Sequence, residues 1–267
     1  MNQPSRDTLS ATIEGPESGP TLVFVHGWPD DASMWRHQVE VLRESCRCVV
    51  PTLPNFGNTV HEPGGCDFGE IVERLHRTIE SLGDEPIILV THDWGAYIGY
   101  LYEQRHPERV KSMIAMDVGG HFEPASISAF LMFIGYQWTL VTLWLVGGLV
   151  PPLGTWLTRN FARMLKVPER QASSLHSRCN YPYFYFWRST LLPWARSRLL
   201  GRYEPKCPVL FIYGGNKPLM FHTDQWMRTV EGTGGRNACI DDASHWFMES
   251  HPEETNAMLE QWLTADQ

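Results

Sequence analysis

The chain has 267 residues, 43% of them hydrophobic and 19% charged. That composition supports a sizeable core and excludes wholesale disorder, and the length suits one α/β domain or one core with an inserted lobe. A net charge of −8 with no Lys/Arg cluster argues against a nucleic-acid partner. Residues 1–7 hold no apolar run of the signal-peptide kind, so the cytoplasm is the default compartment. The six cysteines (46, 48, 66, 179, 207 and 239) contain no C-x2-C pair and read as reduced core thiols, with no metal site expected.

Residues 10–14 make a candidate edge strand. Apolar runs at 21–25, 46–51, 87–91 and 112–116 follow, with helical patterns at 32–44, 68–82 and 94–105 between them. After Asp117 the alternation stops. Residues 122–204 are rich in Trp, Tyr and Leu, broken by Pro and Gly, and read as a mostly helical insertion. The rhythm resumes with a strand at 208–213, a helix at 221–231, a strand at 236–240 and a helix at 253–264. Continuous apolar runs suit a parallel sheet covered on both faces. Strands alternating with helices build βαβ units. The expected fold class is α/β: a doubly wound, mostly parallel sheet from residues 1–121 and 205–267, with a helical cap at 122–204 inserted between strands.

No charged residue occurs from Pro124 to Thr158, and 130–150 is apolar enough to suggest a membrane span. Gly135, Gln137, Gly147, Gly148, Pro151 and Pro152 cut the stretch up. Both flanks must share one compartment to build one sheet. Helices packed over an apolar pocket are therefore expected, with peripheral membrane contact through the cap as the alternative.

The sharpest chemical signal is Ile-Ile-Leu-Val-Thr-His-Asp93-Trp-Gly-Ala, residues 87–96. An apolar strand enters a helix through a tight turn with small residues at Thr91, Gly95 and Ala96. Such a strained elbow lifts one side chain above the sheet edge. Here that side chain is Asp93, so attack at saturated carbon would form an alkyl ester. Hydrolysis of the ester then needs a base for water and N–H donors for the oxyanion. The plainer alternative is an Asp that only caps the helix.

Two further motifs fit that requirement. In His26-Gly27-Trp28-Pro29, after the strand at 21–25, Gly27 lets the backbone turn toward the elbow, and the Trp28 N–H becomes a candidate oxyanion donor with that of Trp94. An ordinary β-turn is the alternative there. His245, in Asp241-Asp242-Ala243-Ser244-His245-Trp246, follows the last strand and is the candidate base. The other reading is a surface histidine like His251.

Together these residues resemble the α/β-hydrolase superfamily, in the branch of epoxide hydrolases and haloalkane dehalogenases. The resemblance spans nearly the whole core and the position of the cap, and it implies an Asp–ester mechanism without cofactor. The sequence departs from the pattern at Tyr213-Gly214-Gly215-Asn216-Lys217-Pro218, where many members carry the acid that orients the base. Some dehalogenases place that acid at the end of the strand before the cap, where Asp117 stands; Asp224 is the other candidate. Asp117 could equally be a strand-end turn residue. Thr91 also departs, since Gly is frequent there.

The branch divides by leaving group. Epoxide opening requires an O–H donor for the developing alkoxide, supplied in epoxide hydrolases by two cap tyrosines. Tyr136 lies in the first half of the insertion, and Tyr183 and Tyr185 in the second. Halide departure would instead use N–H donors such as Trp28, Trp94 or the cap tryptophans. The resemblance therefore implies hydrolysis of a small apolar epoxide by water, with haloalkane dehalogenation as the alternative and a catalytically silent binding or membrane-associated fold as a third reading. The sequence leaves the oligomeric state open.

Overall fold

The computed structural model describes residues 7–121, 123–124, 126–192 and 203–265. Seven strands form one sheet: β1 (Ser10–Glu14), β2 (Thr21–Val25), β3 (Arg47–Thr52), β4 (Ile87–His92), β5 (Val110–Met116), β6 (Val209–Gly214) and β7 (Arg236–Ile240). Their order is β1-β3-β2-β4-β5-β6-β7, and only β1, at the edge, runs antiparallel to its neighbour.

Alternate residues of a strand point to opposite faces, so a strand buried on both sides is apolar throughout. In β2, Val23 and Val25 enter one core while Leu22 and Phe24 enter the other. In β4, Leu89 parts from Ile88 and Val90 in the same way. One face is covered by α1 (Arg36–Leu42), α9 (Phe247–Ser250) and α10 (Pro252–Ala265). The other is covered by α2 (Phe68–Glu80), α3 (Trp94–Arg105) and α8 (Asp224–Gly232). The expected doubly wound sheet is thus the observed one.

Several boundaries shift for local reasons. The helix expected at 32–44 is a short 3-10 turn, Ala32–Trp35, running into α1. The helix expected from 221 starts at Asp224, because the Thr223 side chain accepts from the Trp226 N–H and caps it.

Among the described residues between β5 and β6 lie four more α-helices: α4 (Ile127–Leu149), α5 (Pro151–Met164), α6 (Glu169–Ser174) and α7 (Tyr181–Leu191). The sequence reading has glycines cutting up the apolar stretch, whereas α4 is one unbroken helix of 23 residues. Glycine inside a helix costs only about 1 kcal/mol relative to alanine, and one of these glycines is used for close packing. Gly147 faces Gly154 of α5 and Ser177, and a side-chain carbon at either glycine would collide with its neighbour. The chain turns only at Val150, ahead of Pro151 and Pro152.

Gly154→Val should therefore prise α4 from α5. Overpacking at a backbone contact costs about 1–3 kcal/mol, so thermal melts should show a loss of roughly 2–10 °C. An unchanged melting temperature would mean that the two helices do not meet there.

Candidate active site

The elbow forms where β4 gives way to α3. Asp93 adopts φ 53°, ψ −125°, a strained conformation for a residue with a side chain. Its carboxylate makes no capping bond to α3, so it does not serve as a helix cap. The turn closes because its neighbours are small. A side-chain carbon on Gly95 would strike the Val25 carbonyl, and one on Gly99 would come within 2.8 Å of the Thr91 methyl. Thr91 replaces the frequent glycine without a clash because Gly99 leaves room opposite it.

The loop after β2 meets the elbow from the other side. The Trp28 N–H donates to Asp93 Oδ1 at 2.7 Å. Gly27 lies so near Asp93 Oδ1 and the Trp94 amide nitrogen that any side chain would collide with both. His26 holds this loop: its Nδ1–H donates to Gly27 O and its Nε2 accepts from the Leu53 N–H, each at 3.0 Å. Burial lowers its pKa to about 4, so His26 is a neutral structural pin. The Trp28–Pro29 peptide is cis.

His245 Nε2 lies 3.6 Å from Asp93 Oδ2, and its Nδ1–H donates to Asp117 Oδ2. The structure thus brings Asp93, His245 and Asp117 together. Asp224 is an exposed residue in the first turn of α8. Asp117 has φ 68° at the end of β5 and is fully buried. Burial alone would raise its pKa, but the Lys217 ammonium and His245 outweigh that and hold it well below the usual carboxylate range. Burial likewise disfavours a charged His245, yet the Asp117 and Asp93 carboxylates raise its pKa to about 9.

Three partners escape the sequence reading. Lys217 donates to Asp117 Oδ1, which also accepts from the Gly214 N–H at 3.2 Å. The cation thus stands in the very loop where an acid was sought. His92 donates through Nε2–H to the His245 carbonyl at 2.9 Å, with the two rings 4.3 Å apart. Asp30, buried, accepts from the Trp246 indole at 3.2 Å. Burial, helped by nearby Glu249 and Asp93 against the pull of His245, pushes its carboxyl up to about 7. Only Lys217 leaves a trace in the sequence, as the cation replacing a missing carboxylate.

The cap closes over Asp93 with aromatic rings. Tyr183 of α7 stands edge-on to Trp94, Trp28 and Tyr136, at centroid distances of 5.1, 5.7 and 6.1 Å. Burial, then the nearby Asp93 charge, raises the pKa of both Tyr136 and Tyr183, keeping each hydroxyl protonated as a donor. Tyr136 OH also accepts from Gln137 at 3.0 Å. The expectation for Tyr185 is corrected: its hydroxyl donates outward to Gly64 O at 2.8 Å, because α7 turns position 185 away from the face that carries 183. The Trp28 indole donates to Asn180 Oδ1 at 2.9 Å, and Asn180 in turn donates to Thr158. Elsewhere, Glu62, Cys66 and Glu70 cluster in metal-ligand fashion, but Arg74 engages both carboxylates.

A seven-stranded sheet with an elbow after β4, a histidine after β7 and a cap before β6 defines a hydrolase scaffold. The sequence matches the alpha/beta hydrolase family over residues 22–258, and the chain belongs to that family. Epoxide hydrolase 1 of Siraitia grosvenorii is 24% identical over 91% of each chain. Epoxide hydrolase 2 of the same plant is 35% identical, and a haloalkane dehalogenase of Mesorhizobium japonicum 28%, but the chain spans only 34% and 39% of their lengths. Among solved structures, a Bacillus megaterium epoxide hydrolase superposes with a TM-score of 0.68 at 21% identity, covering 96% of both chains. An esterase of Thermogutta terrifontis gives 0.72 at 20% identity over 97% of this chain and 93% of its own. The protein is an alpha/beta hydrolase whose similar sequences include epoxide hydrolases and a haloalkane dehalogenase.

With a folded pKa of about 9, His245 contributes stability that is complete below pH 6.5 and is lost as the pH rises toward 9. Asp117→Asn removes the main anion behind that shift. Imidazole NMR should show His245 titrating near 9 in the wild type and clearly lower in the variant. The decline in melting temperature between pH 6.5 and 9 should flatten in parallel. Equal titration in both proteins would remove Asp117 as the cause.

Proposed function

We propose that the protein is an epoxide hydrolase that opens apolar epoxides to vicinal diols through an ester on Asp93. The observation that carries this reading is the pair of tyrosines, Tyr136 partly buried and Tyr183 buried, whose rings meet edge-on within reach of the Asp93 charge, while one Asp93 oxygen is already held by a backbone N–H. An alkoxide leaving group is strongly basic and requires O–H donors of this kind. The Trp28 indole, which could hold a departing halide, is committed to Asn180. That commitment ranks haloalkane dehalogenation second.

The chemistry follows from which oxygen is free. Asp93 Oδ1 accepts from Trp28, so Oδ2, facing His245, attacks the epoxide carbon. The C–O bond of the ring breaks, and its electron pair passes to the ring oxygen, which takes a proton from a tyrosine. Forming the ester abolishes the Asp93 charge, one of the causes that keep a proton on His245. The imidazole then gives up that proton, which restores the tyrosine hydroxyl. Neutral His245, still held by Asp117, deprotonates water for attack at the Asp93 carbonyl carbon. The oxyanion develops on Oδ1, at the Trp28 N–H and beside the Trp94 amide. On collapse the Cγ–Oδ2 bond breaks, the leaving alkoxide takes the proton held by His245 and departs as the diol, and the Asp93 carboxyl, now carrying the water oxygen, returns its proton to the imidazole. No metal or organic cofactor enters this scheme.

The test offers an aryl epoxide and a 1-bromoalkane in parallel. Diol without bromide is expected. Asp93→Asn should reduce diol formation by about 10³-fold or more, with deamidation excluded by mass spectrometry. His245→Gln should accumulate an enzyme adduct of substrate mass. Bromide without diol would move the assignment to dehalogenation, and full turnover in Asp93→Asn would overturn the ester scheme.

The tyrosines carry a separate expectation. Tyr183→Phe should lower kcat for the epoxide by about 10²-fold or more, and Tyr136→Phe comparably. A bromoalkane turned over equally well by both variants would fit the same roles. Unchanged epoxide turnover in either variant would remove that hydroxyl from the ring-opening step.

A further inference from the structure

The outer surface of the cap has a character that the site beneath does not require. On α4 the residues Leu131, Trp138, Leu145 and Leu149 repeat at intervals of seven, seven and four, which places them on one stripe of the helix. All four are exposed, Leu149 to 85%. The stripe continues round the α4–α5 corner through Leu153 and Trp156, the latter 62% exposed. A helix on the surface of a soluble domain normally turns polar residues outward. Here no charged residue occurs anywhere between Pro124 and Thr158. Single exposed apolar residues are ordinary, but a continuous band marks an interaction surface.

Charge identifies the partner. Residues 122–204 hold nine of the chain's 22 Lys/Arg but only three of its 30 Asp/Glu, a net charge of +6. The remaining residues carry 13 and 27, a net charge of −14. The inserted stretch is thus basic in sequence and the rest of the chain acidic. Lys166 is exposed just past the end of α5, and Arg163, seven residues beyond Trp156 on its exposed face, is paired with Glu169. An apolar face bordered by cations fits an anionic phospholipid surface. The indoles of Trp138 and Trp156 suit the headgroup boundary, being apolar rings with one polar N–H. A second copy fits poorly, because two caps brought face to face would oppose like charges.

α4 is long and apolar enough to cross a membrane, yet its inner side is committed to the protein. Gln137, Leu140 and Val141 are buried, and Gly147 packs on Ser177. The helix can sink its outer stripe only while lying flat.

We propose that the outer face of α4 and the α4–α5 corner form a docking surface for an anionic phospholipid bilayer, with the acidic core held in water. This surface is independent of the reaction proposed above, and its test uses no turnover. Full-length protein would be floated with vesicles of phosphatidylcholine alone or mixed with phosphatidylglycerol. The wild type should float with the mixed vesicles, weaken as salt is raised, and have its tryptophan fluorescence quenched by brominated acyl chains. Leu131→Glu/Leu145→Glu should reduce binding by about tenfold or more at an unchanged melting temperature. Leu131→Asn/Leu145→Asn provides the same readout should the charged pair unfold the cap. Absence of flotation with mixed vesicles would overturn the proposal, as would equal binding by a folded variant or equal, salt-independent binding to phosphatidylcholine. A wild-type dimer seen by ultracentrifugation, broken by these substitutions and without vesicle binding, would assign the face to self-association instead.

Discussion

Asp117 is a carboxylate without access to water, and a charge so placed must be balanced on the spot. Lys217 takes one oxygen together with the Gly214 N–H, and His245 takes the other. These partners come from the loop after β6 and the loop after β7, while Asp117 itself ends β5. One buried anion thus draws three chain segments to the carboxyl edge of the sheet. With Asp93 added, the four groups sum to zero when the imidazole is protonated. That balance accounts for the proton His245 retains at neutral pH, and it ties loss of the proton to loss of the Asp93 charge. His92 holds the same loop by its backbone, so the position of His245 is set from two sides.

The elbow is a different kind of constraint, paid for in backbone strain. A left-handed Asp93 persists because the strand before it and the helix after it are fixed by packing on both faces of the sheet. Gly95 admits the Val25 carbonyl, and Gly99 admits Thr91. The Trp28 N–H rests on Asp93 Oδ1. In the proposed reaction, a dipole oriented during folding need not reorganise when charge develops on that oxygen, which is the usual source of electrostatic stabilisation at such sites.

The cap meets two opposite demands. Its inner side packs Tyr183 against Trp94, Trp28 and Tyr136, and burial keeps both tyrosine hydroxyls from ionising. Trp28, Asn180 and Thr158 bind the two parts through a buried hydrogen-bond chain. Its outer side is apolar as well, which is why composition alone could not distinguish a pocket wall from a membrane face.

The sequence by itself determined the alternation of strands and helices, the insertion after Asp117 and the Asp93 elbow. Each is a local signal: an apolar run of strand length, a break in rhythm, small residues flanking a turn. It also brought forward Asp117, although only through resemblance, and left Asp224 open beside it. Only the tertiary structure decided between those two, paired Lys217 with Asp117, and set His92 and Asp30 beside the site. These choices join residues 100 or more positions apart, and no local pattern reports that separation. The same holds for the cap tyrosines. Tyr183 and Tyr185 are two apart on one helix, and a helix turns such neighbours to different sides. Which side faces Asp93 depends on how α7 docks on α4 and the core, a matter of packing that periodicity cannot express.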